Sequence, residues 1–309
     1  MSALPSIRAQ RYRVLHDTHY DYAAPVSLSE QLLHLAPRPL PRQRVIDWSL
    51  DCDPEPGRQE QALDAFGNPV VRLQFDRPHA ALSVRMAMQV SITPRAPVNV
   101  EDSPPWEEAC SLYRYHAGFV PDAAVLEASR FRFQSPYVPV KQAFGQFAAD
   151  CFPRGRPLLA AAEALMANIH EQFEFDSRAT QVATPLAQVL EERRGVCQDF
   201  AHLMIACLRA LGLPARYVSG YLLTHPPPGK PRLVGADASH AWVSLRCPKQ
   251  GWIDFDPTNH VIPDTEHIVL GWGRDFGDVS PQRGVILGGG AHLPRVAVTV
   301  EPVAEAAPV

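Results

Sequence analysis

The reading of this chain turns on residues 194–214, Arg194-Gly195-Val196-Cys197-Gln198-Asp199-Phe200-Ala201-His202-Leu203-Met204-Ile205-Ala206-Cys207-Leu208-Arg209-Ala210-Leu211-Gly212-Leu213-Pro214. Phe200, Leu203, Met204, Cys207, Leu208 and Leu211 recur at helical spacing and form one apolar face. Gly212 and Pro214 end the pattern. The spacing predicts a helix over 197–211 with Cys197 in its first turn. Unpaired N–H groups and the positive dipole end at that position favour a thiolate over a thiol. The same N–H groups are placed to stabilise an oxyanion on a carbonyl that the sulfur attacks. A lone cysteine is more often a small buried apolar residue, so the catalytic reading depends on partners.

The partners lie downstream. Ala215 to Leu222, His240 to Leu245 and Gly251 to Asp256 read as three short strands broken by Pro/Gly loops. His240 opens the second and Asp256 closes the third, and a turn over 247–251 would bring both side chains to one end of a sheet. Cys, His and Asp in that order, on helix, strand and strand, supply a nucleophile, a base to ionise it and a carboxylate to fix the imidazole tautomer. Singly, His240 reads as a half-buried strand histidine and Asp256-Pro257 as a turn starter; all three at element ends are less easily accidental. Gln198, Tyr217 and Trp242 are assigned to the substrate-binding wall. Asp199, in the first turn of the helix, is read as structural.

Upstream, Leu158, Ala162, Leu165, Met166, Ile169 and Phe173 give a second helical period started by Pro157, and a short helix follows from Pro185 to about Arg193. Helices followed by strands indicate an α+β domain. Before them the period is two: Tyr12, Val14, His16, Thr18, Tyr20 and Tyr22; Ile46, Trp48, Leu50 and Cys52; Val71, Leu73 and Phe75; and Leu82, Val84, Met86, Met88, Val90 and Ile92. Turn signals at 53–57 and 66–69 separate these runs. The chain is therefore divided into an N-terminal β-sandwich accessory domain (1–105), a Pro-interrupted connecting region (106–155), an α+β core (156–300) and a frayed tail (301–309).

With 29 Lys and Arg against 33 Asp and Glu, the net charge is −4 and no basic block marks a nucleic-acid partner. No apolar run approaches the roughly 18 residues of a membrane span, so no membrane partner is expected and a cytoplasmic location is the default. The six cysteines are far apart with no C-x-x-C pair, which argues against disulfides and a zinc ribbon. His202, His225, His260 and His267 offer no H-x-x-x-H spacing, so no metal site is assigned. Gly288-Gly289-Gly290 lacks the strand-then-helix setting of a phosphate loop and is read as a turn.

Four segments, 194–203, 212–221, Asp237-Ala238-Ser239-His240-Ala241-Trp242 and 251–259, resemble the core of the bacterial transglutaminase-like cysteine protease family, over about Leu158 to Asp278. Tyr20-Asp21-Tyr22, Pro37-Arg38 and Asp64-Ala65-Phe66-Gly67-Asn68 resemble that family's accessory β domain. The resemblance implies a papain-like α+β core with Cys197 as nucleophile, His240 as base and Asp256 as orienting acid. A departure is Phe175, where many relatives carry a tyrosine. A peptide or protein substrate and no cofactor are expected; hydrolysis is expected first because water is always present whereas an amine needs a water-excluding channel, amine transfer through the same thioester second, and a non-catalytic binding module, which the intact triad argues against, third. No calcium loop of EF-hand spacing is present.

Overall fold

The computed structural model describes residues 9–114, 116–118, 120–176, 184–224 and 239–303. His225, Asp237-Ala238 and the tail beyond residue 303 lie outside them. The chain begins with β1 (Gln10–Leu33), β2 (Gln43–Asp53), β3 (Arg58–Leu63), β4 (Pro69–Phe75) and β5 (His79–Ile92). Short helices follow, α1 (Trp106–Tyr113), α2 (Ala123–Ser129) and α3 (Gln142–Ala148), then the longer α4 (Leu158–Gln172). Next come β6 (Glu174–Phe175), α5 (Leu186–Glu192), β7 (Arg194–Gly195) and α6 (Cys197–Ala210). The strands β8 (Ala215–Leu222), β9 (Ser239–Cys247), β10 (Gly251–Phe255) and β11 (His267–Gly273) precede α7 (Phe276–Val279), β12 (Gln282–Gly288) and β13 (Pro294–Pro302).

β1 organises the N-terminal domain. Its first half pairs with β5 and β13, its second with β4 and β12, and pairing is irregular between Asp21 and Val26 where the partners change. A strand that changes partners at such irregularities turns one sheet into two facing halves. Tyr12, Val14, Met86 and Met88 of one half share a core with Leu33, Val71, Leu73 and Phe75 of the other. The alternating residues of β5 from Leu82 to Ile92 are all buried, as their period requires.

One boundary differs from the sequence reading. The sequence places 156–300 in the core and 301–309 in a frayed tail, but β12 and β13, the latter running to Pro302, return to the N-terminal domain and pair along nearly all of β1. Positive φ at Gly288, Gly289 and Gly290 turns the chain between them. Alternation identifies a strand but not its partner, which the tertiary topology decides.

The core sheet is antiparallel in the order β10-β9-β8-β11. The apolar stripes of α4 and α6 pack on one face with Ala215, Tyr217, Val243 and Leu245. On the other, Val218, Trp242 and Val269 pack with Leu40 and Trp272, while Tyr221, Leu223, Ile268 and Leu270 join the core of the β domain. β8 is thus covered on both sides and buried at seven of its eight positions, which is why it reads as an unbroken run. At the end of α6 the buried Arg209 donates to the carbonyls of Phe131, Phe133, Ala215 and Arg274, tying the connecting region to the core.

β11 is an edge strand, and two side-chain amides of the β domain complete its hydrogen bonding. Gln43 accepts from Val269 N–H at 2.8 Å and donates to Val269 O at 2.7 Å. Asn68 accepts from Trp272 N–H at 3.0 Å and donates to Trp272 O at 2.8 Å. Asp64 holds this Asn68 through its backbone N–H and its Nδ2, and Arg38 donates to its Oδ1 while lying 3.7 Å over the Trp272 ring. The Pro37-Arg38 and Asp64-to-Asn68 segments are therefore docking elements. Among the described residues no helix is long and apolar enough to cross a membrane.

Asn68→Ala leaves two part-buried backbone groups of Trp272 without this partner. The expected cost is about 2 kcal/mol or more of unfolding free energy, read by urea unfolding; an unchanged midpoint would contradict the docking role.

Candidate active site

The start of α6 is set by its first turn. Val196 is extended, and the Asp199 carboxylate accepts from Val196 N–H at 2.9 Å, capping the helix just ahead of Cys197. A Cβ on Gly195 would come within 2.8 Å of Asp199 Oδ2, so a glycine is needed for the close approach. Gly195 also pairs with Phe175, which places that exposed ring beside the strand leading to the thiol. Cys197 is partly exposed.

His240 is the second residue of β9, and Asp256 follows β10, where its N–H donates to Val261 O at 2.9 Å. Because β9 and β10 form an antiparallel hairpin, both side chains reach the same end of the sheet. His240 Nε2–H donates to Asp256 Oδ2 at 2.7 Å, and the Cys197 side chain lies close enough to act on the imidazole's titration. With Nε2 occupied, Nδ1 is the nitrogen left for the sulfur.

Asp256 is fully buried. Its Oδ1 accepts from the backbone N–H groups of Thr258 at 3.0 Å and Asn259 at 3.2 Å. Its Oδ2 accepts from His240, from Asn259 Nδ2 at 2.8 Å and from His267 Nε2 at 3.0 Å. Burial alone would raise this carboxyl, but the hydrogen bonds from His240 and His267 override it and hold it well below the usual carboxylate range. Burial alone would likewise lower His240; its hydrogen bond to Asp256 and the nearby Cys197 side chain, with their charges, raise it to about 10.

His267, to which the sequence assigns no role, opens β11 and is the second imidazole on Asp256. No local spacing signals this, because β11 reaches the site through its pairing with β8. The donor atoms of His240, Asp256 and His267 lie within 4.8 Å of one another. Across a tetrahedral zinc, two ligand atoms stand roughly 3.3 Å apart, while the N···O distances here are those of a carboxylate shared by two imidazoles.

The three residues assigned to the substrate wall are placed differently. Gln198 is half-buried in the first turn of α6. Tyr217 is buried beside His202, and burial, then the charges of Cys197 and Asp199, push its phenol well above the usual range. Trp242 is fully buried, stacks on His240 at 6.1 Å, meets His267 edge-on at 5.2 Å and donates from Nε1 to Asp254. It braces the imidazoles rather than standing open to solvent. His202 accepts from Phe276 N–H, and burial lowers it to about 3. Burial pushes the thiols of Cys52 and Cys110 up to about 11 and raises those of Cys151 and Cys207.

Comparison with known proteins fits this geometry. Residues 146–257 match the transglutaminase-like superfamily profile, and residues 12–91 match the bacterial transglutaminase-like N-terminal region. An uncharacterised protein of Mycobacterium tuberculosis strain H37Rv is 38% identical over 92% of this chain and 90% of its own length. The chain belongs to the transglutaminase-like superfamily, with the bacterial N-terminal region ahead of the core. Over 127 residues it is 34% identical to a protein-glutamine gamma-glutamyltransferase of Pseudomonas aeruginosa, covering 36% of this chain and 19% of that protein. The crystal structure of a candidate cysteine protease from Cytophaga hutchinsonii shares the fold, with a TM-score of 0.73 at 21% identity over 97% of this chain and 93% of that one.

The two shifts carry opposite pH signs. A raised His240 contributes stability fully below about pH 6.5 and loses it as pH climbs through about 10. A depressed Asp256 contributes fully above about pH 4 and loses it on acidification. Imidazole NMR titration is expected to find His240 protonated through neutral pH, with a midpoint that falls in Asp256→Asn because the leading raising interaction is gone. An unmoved midpoint would contradict the assignment.

Proposed function

We propose that the chain is a cysteine peptidase or amidase that opens an amide or peptide bond through a thioester on Cys197. The observation that carries this reading is the Cys197 side chain in the first turn of α6, beside an imidazole that a buried carboxylate holds. His240, raised to about 10, is suited to take the proton that the thiol gives up as its sulfur attacks. The sulfur attacks the amide carbonyl, and N–H groups in the first turn of α6, that of Cys197 included, are placed to receive the oxyanion. His240 then delivers its proton to the leaving nitrogen, an amine departs and the acyl group remains on sulfur. Water, deprotonated by the neutral imidazole, attacks the thioester and returns the free thiol with a carboxylate product.

An amine in place of water would make the same intermediate a transfer reaction, and the likeness to the Pseudomonas glutamyltransferase favours that second reading. Hydrolysis is preferred because Cys197 is partly exposed and water is present at about 55 M, whereas an amine must be positioned to compete. A non-catalytic binding module would have no need of a fully buried carboxylate aligned on an imidazole. All six cysteines are free thiols, which supports a reducing, cytoplasmic setting.

The test is a tryptic peptide pool incubated with the protein while methylamine is titrated, with products read by mass spectrometry. New carboxylates are expected throughout, and Cys197→Ser is expected to lower their formation by more than about a thousandfold. Methylamides in place of carboxylates at millimolar amine would make the chain a transferase, and an active Cys197→Ser would end the nucleophile assignment.

A further inference from the structure

Across the core sheet from α6, where the sheet meets the β domain, lies a cavity of about 410 Å³. Alternation along β8 turns Arg216 to this side, since Ala215 and Tyr217 pack into the α6 core. The Arg216 side chain is 6% exposed and lies between two indoles, 4.1 Å from the ring centre of Trp252 and 3.7 Å from that of Trp272. Stacking occupies the flat faces of a guanidinium and leaves its in-plane N–H donors unused. Arg216 Nε has no hydrogen-bond partner, and among the described residues no carboxylate lies within ion-pair distance of the group. A buried charge with unused donors is costly, and burial accordingly lowers Arg216 to about 9, opposed by the charge of Asp254.

The acidic residues of the wall are engaged elsewhere. Asp264 pairs with the Arg42 side chain and accepts from Arg95 N–H at 2.9 Å. Asp254 accepts from Trp242 Nε1 at 3.2 Å and faces Arg95. Both carboxylates oppose a multiply charged anion such as phosphate but leave a single negative charge at Arg216 favourable. Leu40, Ile92, Val218 and Val269 line the remainder, an apolar surface suited to a hydrocarbon body.

We propose that this cavity binds a monocarboxylate with an apolar or aromatic body. The carboxylate takes the in-plane donors of Arg216, whose fork matches its two oxygens, and the body lies against the indoles and aliphatic side chains. The volume falls within the range of small-molecule sites, roughly 300–1,000 Å³. The wall does not include Cys197, so the site is separate from the thiol; it does include His267, which donates to Asp256. The proposal is independent of whether the thioester is hydrolysed or aminated.

Calorimetry with 3-phenylpropionate and its neutral counterpart 3-phenylpropionamide tests it on the full chain. The acid is expected to bind at least about tenfold more tightly than the amide and to quench the tryptophan fluorescence of the cavity wall. Arg216→Met is expected to abolish the preference; should that variant not fold, Arg216→Lys keeps the charge, loses the fork and weakens acid binding alone. Saturating acid is expected to leave the rate of Cys197 alkylation by iodoacetamide unchanged. Equal affinity for acid and amide, or no binding of either, would make Arg216 a structural brace only and overturn the proposal. Protection of Cys197 would place the acid at the thiol and overturn it equally.

Discussion

The buried carboxylate of Asp256 is the point on which the rest of the structure depends. It sits out of water at the end of a hairpin, and its charge is tolerable there because five donors converge on it: two backbone N–H groups, one side-chain amide and two imidazoles. These come from β9, from the start of β11 and from the turn after β10. A single anion therefore holds three separate segments in register. The same anion raises His240 and turns it so that its other nitrogen is left for Cys197.

Holding that arrangement requires both faces of the core sheet to be covered. α6 covers one and supplies the thiol at its start, while the β domain covers the other and closes the open edge of β11 through Gln43 and Asn68. The two modules are joined through backbone-like hydrogen bonds as well as apolar contact. His16 of β1 extends this joint, bonding the Tyr221 hydroxyl at 2.7 Å inside the shared core. The N-terminal domain thus supports the strand that carries His267, and through it the carboxylate.

Much of this was legible in the sequence because it is local. The helical period from Cys197, the Gly212 and Pro214 stop, the position of His240 at the head of a strand and Asp256 at the tail of the next all depend on near neighbours, and the described elements follow them. The alternation of β5 is equally local. What escaped depends on pairing across the chain. No strand is read from the sequence over 282–302, where β12 has no buried alternating face and both it and β13 form by pairing with the distant β1. His267 stands in no motif and reaches Asp256 through the β8–β11 register. Trp242 and Tyr217 lie near the reactive residues in sequence, but their burial is a matter of packing between layers.

The central claim is that Asp256 acts through His240 to make Cys197 the reactive thiol. Its most direct measure is the pH dependence of the rate at which iodoacetamide alkylates Cys197, in the wild type and in Asp256→Asn. An imidazole oriented by the carboxylate predicts a rate at neutral pH that exceeds that of the other five thiols in the wild type and falls in the variant. Identical profiles for the two proteins, or a wild-type Cys197 no faster than the other five thiols, would contradict it.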